Sequence, residues 1–204
     1  MARPKGDGRR RLLEATMDYL MAHGLGQLTL RQLAEGIGTT HRSLIYYFGT
    51  WESLLVEVVR EVERREQRFL QEGFLAEHAG EPLAEQLRAV WSYCTDPAFG
   101  NYLRLFFEIY ADALQGRPHT AKFLDTVVAA WLEPFARVFR GAGRDDEQAQ
   151  VDARLTLAVL RGLFLDLLAT GDVKAATRAF ERYLDQASAA DQVAPIASRN
   201  SAGG

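Results

Sequence analysis

The residues with the clearest potential chemistry lie in one short segment, between Thr40 and Phe48. An arginine can donate hydrogen bonds to O6 and N7 of guanine, hydroxyl groups and a histidine ring can bond phosphates or base edges, and an isoleucine can touch a thymine methyl group. This combination is typical of a surface that contacts DNA. The side chains concerned are His41, Arg42, Ser43, Ile45, Tyr46 and Tyr47.

A second interpretation of this segment stays open. Ile45, Tyr46 and Tyr47 would then pack against neighbouring helices, as apolar and aromatic side chains do in an ordinary helical bundle. The two interpretations differ in exposure, because side chains that contact nucleotides must face solvent in the free protein.

Two short helices are predicted to position this segment. Thr29 followed three residues later by Gln32 is a capping box, so we expect a helix to begin at about Leu30. Its apolar residues are Leu30, Leu33, Ala34 and Ile37. Gly38 allows a turn, and Thr40 can cap a second helix whose Leu44 and Phe48 face inward. The pattern indicates a helix-turn-helix, whose second helix fits the major groove of DNA.

The charge of the chain is divided unevenly along its length. The formal net charge is −3, but residues 1–50 carry seven lysines and arginines against four acids, a local charge of +3. Because local charge governs phosphate binding, a basic N-terminal quarter on an acidic body is compatible with a DNA partner. A solvated N-terminal arm without a partner is the alternative.

The remaining composition narrows the class of protein. With 204 residues and 48% hydrophobic residues, the chain can build a substantial core. The single cysteine, Cys94, excludes an internal disulfide and is expected to be an inert core thiol. Neither a secretory leader nor an apolar run of about 20 residues is visible, so we expect no membrane association and a cytoplasmic location.

Beyond the helix-turn-helix, helical periodicity continues without any strand signature, which predicts an all-α fold of about nine helices. We expect a helix-turn-helix head with a basic arm over residues 1–50, a helical ligand-binding and dimerisation body over 51–188, and a disordered tail over 189–204. Residues 1–8 are also expected to be disordered. The predicted helices cover about 9–23, 30–37, 40–48, 50–73, 82–94, 96–116, 118–140, 145–170 and 172–188.

The segment from Thr29 to Leu55 resembles the DNA-binding segment of the tetracycline-repressor (TetR) family of bacterial regulators. The resemblance rests on Gly24, the Leu-Thr-x-Arg-x-Leu-Ala run of 28–34, Gly38, the Thr-His-Arg-Ser-Leu run of 40–44, the pair Tyr47-Phe48, and Leu54. It covers about 50 residues. Two positions depart from the family pattern: Ile45 stands where tyrosine is usual, and Trp51 stands where a phosphate-contacting lysine is usual.

The resemblance implies roles for individual residues. Arg31, His41, Arg42 and Ile45 would face bases, whereas Ser43, Tyr46 and Tyr47 would meet sugar and phosphate. The basic arm, Arg9 to Arg11, would replace the missing lysine contact. The residues predicted to contact DNA are therefore Arg31, Thr40, His41, Arg42, Ser43, Ile45, Tyr46, Tyr47, Arg9 and Arg10.

The resemblance also implies a homodimer formed by the last two long helices. Residues 145–170 are apolar on nearly all sides, which independently favours a four-helix bundle between two copies. The central helix of a monomer is the alternative. The predicted interface residues are Val151, Leu155, Val159, Gly162, Leu163, Phe180, Tyr183 and Leu184.

A small apolar or aromatic effector is expected to bind within the body, where aromatic side chains would converge. For each of these residues, an ordinary place in the core is the competing interpretation. The candidate pocket residues are Trp91, Tyr93, Tyr102, Phe106, Tyr110, Phe123, Trp131, Phe135 and Phe164.

No catalytic constellation, cofactor motif or metal-ligand spacing is visible, and the four histidines are scattered. The sequence therefore predicts a ligand-responsive regulator, most simply a repressor that binds a palindromic double-stranded operator as a homodimer, and not an enzyme. An activator or a ligand-independent DNA-binding regulator is the first alternative. A helical carrier or enzyme is the second.

Overall fold

The computed structural model describes residues 5–26, 28–68, 77–78, 80–118, 120 and 123–193. Within these ranges every regular element is a helix, which confirms the predicted all-α class. The α-helices are α1 Lys5–His23, α2 Leu30–Gly36, α3 His41–Phe48, α4 Trp51–Arg68, α5 Leu83–Cys94, α6 Gly100–Leu114, α7 Phe123–Thr126, α8 Ala129–Gly141, α9 Asp146–Thr170 and α10 Val173–Val193, and a 3₁₀ turn covers Pro97–Phe99.

The chain forms two compact units. The N-terminal unit comprises Met1–Glu77 and Asp96–Pro134, and the C-terminal unit comprises His78–Thr95 and Phe135–Gly204. The predicted division into a head of residues 1–50, a body of 51–188 and a tail stays a prediction. None of the described helices is both long enough and apolar enough to cross a bilayer.

One continuous apolar core holds the N-terminal unit together. Helices α1 to α4 and α6 each contribute buried side chains to it, so that α2 and α3 are packed against the other helices of the unit. Burying large apolar side chains is the main favourable contribution to such packing. Fully or almost fully buried members are Met17, Leu20, Leu33, Leu44, Leu54, Val58, Val62, Leu105 and Ile109.

The C-terminal unit is organised by the pair α9 and α10. Asp145 caps α9 by accepting a hydrogen bond from the Gln148 amide at 2.8 Å, and Gly171 ends it at a φ of 70°, in the left-handed region. The ring of Trp91 stacks on Phe164 and on Phe180, with centroids 5.5 and 4.7 Å apart. This stack packs α5 against both helices.

Two predicted interface residues belong to this internal packing. Phe180 and Leu184 are 0% and 2% exposed in the single chain, so they hold α10 inside the protomer instead of meeting a partner. The hydroxyl of Tyr183 is hydrogen-bonded to that of Thr156 on α9. The expectation for Phe180 and Leu184 is thereby corrected, since their apolar periodicity is satisfied within the chain.

Several helix boundaries differ from expectation. Helix α1 begins at Lys5 instead of about residue 9, and α10 continues to Val193, past the end expected at residue 188. The helix expected over 118–140 is divided, because the backbone turns at 127–128, within a run of three β-branched residues that disfavour helix. Residues 1–4 and 194–204 of the predicted disordered segments lie outside the described residues.

Candidate nucleic-acid interface

The start of α2 is fixed by the predicted capping box. The backbone N–H of Thr29 donates to Oε1 of Gln32 at 2.9 Å, and the backbone N–H of Gln32 donates to Oγ1 of Thr29 at 3.3 Å. Both otherwise unsatisfied donors are thus paired. Because Leu33 and Ala34 are buried on the opposite side, the exposed residues of α2, including Arg31, face solvent.

The turn between the two helices is closed by local hydrogen bonds. Gly38 adopts a φ of 68°, which L side chains rarely tolerate, and the N–H of Thr39 reaches back to the carbonyl of Ala34 at 2.9 Å. Oγ1 of Thr40 then accepts from the N–H of Ser43 at 3.0 Å and caps α3. These bonds set the direction in which α3 leaves the turn.

The two faces of α3 are sharply different. Only Leu44 and Phe48 are buried, at 0% and 8% exposure, and both belong to the core of the N-terminal unit. Ile45 is 41% exposed and Tyr46 is 63% exposed. The remaining predicted contact residues are placed as follows: His41 and Arg42 are exposed, and Ser43 and Tyr47 are half-buried.

This exposure decides between the two interpretations for Ile45 and Tyr46, which are not packed into a bundle. The exposure of Tyr47 is intermediate, because its ring packs partly against the core. The rings of Tyr46 and Tyr47 meet edge to face, with centroids 5.0 Å apart. The guanidinium groups of Arg31 and Arg42 form no ion pair with any described residue, so both positive charges are available to an anionic partner.

The two arginines predicted from the basic arm are placed differently from each other. Arg9 lies 3.0 Å from the carboxylate of Glu57, and its guanidinium stacks over the Phe48 ring at 5.2 Å from the centroid. Arg9 therefore holds α1, α3 and α4 together, a structural role that sequence reasoning missed. Arg10 is far more exposed, with 74% of its side-chain surface accessible and Asp7 at 3.8 Å. Arg10 is the better candidate for a phosphate contact.

Sequence reasoning also missed two other contacts in this unit. A glycine, Gly8, lies against the hydroxyl end of Tyr47, and the carboxylate of Glu108 on α6 meets the chain just after α1. The only sequence signal for Gly8 is a glycine near a helix start, a pattern that indicates disorder as readily as close packing.

The predicted pocket aromatics fall into separate groups in the two units. In the N-terminal unit, Phe106, Tyr110 and Phe123 form a mutual cluster with centroids 5.7 to 6.0 Å apart. Tyr102 packs on Phe99 at 4.7 Å, and Trp131 is half-buried. In the C-terminal unit, Trp91 and Phe164 stack in the core, Phe135 is fully buried, and Tyr93 is 40% exposed.

A cleft of about 340 Å³ lies within the N-terminal unit, beside α4 and α7. Phe123 is the one predicted pocket residue that lines it, together with Val56, Val59, Glu63 and Thr126. Burial raises the pKa of Glu63 above its usual value, against the opposing effect of a hydrogen bond from Thr126. A single pocket formed by all nine aromatics stays a prediction.

The predicted interface residues of α9 present a partly exposed apolar surface. Val151 and Leu155 are 61% and 53% exposed, although both are large aliphatic side chains. Gly162 is also exposed, and Val159 and Leu163 are half-buried. Exposed aliphatic residues along one helix are a common feature of protein–protein interfaces.

Comparison with known proteins finds a family match for the helix-turn-helix segment. Residues 12–58, which contain α2, α3 and the start of α4, match the family model described as bacterial regulatory proteins, tetR family. The chain is 26% identical over 132 residues to the HTH-type transcriptional repressor AcnR of Corynebacterium diphtheriae, covering 58% of this chain and 70% of that protein.

Solved structures show the same fold. A TetR-family transcriptional regulator from Cytophaga hutchinsonii aligns with a TM-score of 0.74 at 18% identity, covering 91% of this chain and 95% of that one. A regulator from Saccharomonospora viridis, solved in complex with choline, aligns with a TM-score of 0.70 at 17% identity, covering 88% and 95%. The matched helix-turn-helix, the curated relative and the shared fold agree with a DNA-binding regulator and not with an enzyme. Residues 12–58 thus match the tetR family of bacterial regulatory proteins, and the chain as a whole shares the fold of a TetR-family transcriptional regulator.

Proposed function

We propose that this regulator is a cytoplasmic, homodimeric repressor that binds a palindromic operator and is released by a small apolar or aromatic effector. The observation that carries the proposal is the exposed face of α3, which is held outward by Leu44 and Phe48 in the core. The curated relative is itself a transcriptional repressor, which supports the sign of regulation.

The DNA contacts follow from the exposure and chemistry of α3. Arg31, His41, Arg42 and Ile45 face the bases, with the Arg42 guanidinium free to pair with guanine. Ser43, Tyr46 and Tyr47 meet sugar and phosphate together with Thr40, whose hydroxyl also caps α3. Arg10 supplies a phosphate contact from α1. Arg9 stabilises α3 through its contact with the buried Phe48 ring.

The homodimer forms through α9, aided by α10. Leu155 and Val151 are each more than half exposed, and a second copy of the same surface would bury them. This gives the symmetric contact expected of a two-fold dimer. A Cβ atom added to Gly162 on the same helix would meet no heavy atom within 4 Å, so another backbone can approach there. The two α3 helices would then enter successive major grooves, about 34 Å apart.

The effector regulates by binding one arrangement of the dimer better than another. Ligand binding shifts the population toward a spacing of the two heads that no longer matches the operator. The relative solved with choline shows that a protein of this fold can hold a small organic molecule. Candidate effector contacts are the predicted aromatic residues, with Phe123 lining the cleft of the N-terminal unit.

A gel-shift assay with the DNA upstream of the protein's own gene tests this function. The wild type is expected to retard the duplex, with an affinity that falls as salt rises because phosphate-bound counterions are released. Arg42→Ala and Tyr47→Ala should each weaken retardation, whereas Arg178→Ala, an exposed arginine of α10, should not. Absence of retardation by the wild type, or retardation undiminished in both variants, would overturn the proposal.

A further inference from the structure

We propose that Gly8 is a positioning residue for DNA recognition, because its lack of a side chain lets Tyr47 lie in its present place. This inference rests on the proposed function, in which Tyr47 contacts the DNA backbone. A Cβ atom built on Gly8 would stand 2.9 Å from Cζ of Tyr47 and closer still to its hydroxyl oxygen. Both distances are too short for non-bonded atoms, so any larger residue at position 8 must displace the tyrosine.

Contacts of the neighbouring residue hold the first turn of α1 in place. Arg9, the next residue, is paired with Glu57 on α4 and stacked on the Phe48 ring of α3. The end of a tyrosine side chain moves by rotation about two bonds, whereas moving the turn would break these contacts. A Cβ at position 8 therefore shifts Tyr47 and leaves α1 in place.

The displacement would reach the exposed part of the surface. The Tyr47 ring is in edge-to-face contact with Tyr46, the most exposed large hydrophobic side chain of α3. Moving Tyr47 removes the ring on which Tyr46 rests. Gly8 thus sets the positions of both tyrosines that the proposed function assigns to sugar and phosphate.

Backbone geometry gives no other reason for a glycine at this position. Gly8 lies inside α1 and does not have a positive φ, so alanine would fit the same backbone and would favour helix more. A helical glycine lowers stability relative to alanine. The close approach of Tyr47 is the feature that alanine would violate.

A second glycine in this unit provides a matched control. A Cβ on Gly36, the last residue of α2, would stand 2.7 Å from Cζ of Tyr19, again too close for non-bonded atoms. Tyr19 lies on α1 and stacks on His23 at 4.1 Å, and neither residue belongs to the proposed DNA contacts. Gly36→Ala should therefore lower thermal stability while the folded protein keeps its affinity for DNA.

The test measures affinity for the fluorescent duplex upstream of the protein's own gene, together with thermal stability. Gly8→Ala is expected to weaken binding about tenfold, as for the loss of one hydrogen bond to a charged group, while lowering the melting temperature no more than Gly36→Ala does. In a Tyr47→Ala background, adding Gly8→Ala should produce no further loss, because the added methyl group meets no ring.

The outcomes separate this inference from the proposed function. If the wild type binds the duplex and Gly8→Ala binds equally well, the positioning role is overturned and the function stands. An undiminished effect of Gly8→Ala in the Tyr47→Ala background would also overturn it, since the glycine would then act by another route. If the wild type binds no DNA, both proposals fail.

Discussion

The carboxylate of Glu108 accepts a hydrogen bond from the backbone N–H of Leu25, with 2.5 Å between Oε2 and the nitrogen. Glu108 lies on α6, and Leu25 follows the buried Gly24 at the end of α1. Glu108→Ala would leave this partly buried N–H without its partner. We expect the free energy of unfolding to fall by about 1–3 kcal/mol, measured by urea denaturation.

An exposed acid provides the control for this variant. Asp18→Ala removes a carboxylate from the exposed surface of α1 and should change the free energy of unfolding by no more than about 0.5 kcal/mol. Equal effects of the two substitutions would show that the Leu25 contact contributes nothing specific.

The capping box of α2 gives a second prediction. Thr29→Ala removes the oxygen that accepts from the Gln32 amide, so the unfolding free energy should fall by about 0.5–2 kcal/mol. Thermal denaturation followed by circular dichroism measures the change. Thr29→Ser retains the hydroxyl and should recover most of the loss; if serine were as damaging as alanine, the hydrogen bond would not be the cause.

The buried acid of α4 predicts a dependence of stability on pH. Burial acts to raise the pKa of Glu61, but hydrogen bonds from Arg64 and Arg65 outweigh it and hold the pKa below the ordinary value of 4.5. A carboxyl whose pKa is lowered by folding stabilises the folded state above its unfolded pKa. That stabilisation is lost as the pH falls through the folded value.

Glu61→Gln should therefore be less stable than the wild type at pH 7, and the difference should shrink as the pH falls below about 4.5. Urea denaturation at a series of pH values measures this. Glu14→Gln, at an exposed position of α1, is the comparison and should not differ from the wild type in this way. If the difference in unfolding free energy between Glu61→Gln and the wild type stayed constant from pH 7 to pH 3, a stabilising role for the ionised carboxylate would be contradicted.

Leu155, an exposed leucine of α9, gives a prediction about assembly. Leu155→Asp places a charge where the proposed dimer buries a half-exposed aliphatic side chain from each copy, and the lost apolar burial alone amounts to about 1.5–3 kcal/mol for the two leucines. Light scattering during size exclusion should show a dimer for the wild type and a monomer for the variant. Leu114→Asp, at a leucine 68% exposed on α6, should remain dimeric. A dimeric Leu155→Asp would place the interface elsewhere.

The features that could be predicted from sequence are those decided locally. Thr29, Thr40 and Asp145 cap helices through atoms three residues away, so their spacing alone identifies the helix starts. The inward and outward faces of α3 follow in the same way from its helical period. The all-α class and the family resemblance rest on these local signals.

The features that could not be predicted depend on residues distant in sequence. No spacing rule links Glu108 to Leu25, Arg9 to Glu57, or Tyr47 to Gly8, because folding alone brings them together. Periodicity shows that Phe180 and Leu184 must be covered but not whether their own chain or a second copy covers them. The glycines among the first residues indicate disorder, yet α1 already begins at Lys5, because tertiary packing stabilises the start of the helix.

Helix α3 buries only Leu44 and Phe48 of its eight residues, with Tyr47 packed partly against the core beside them. Folding thus places few constraints on His41, Arg42, Ile45 and Tyr46, which can be randomised together without unfolding the domain. A library built at these four positions would explore new target sequences on an unchanged scaffold, so the same architecture can be redirected to other promoters.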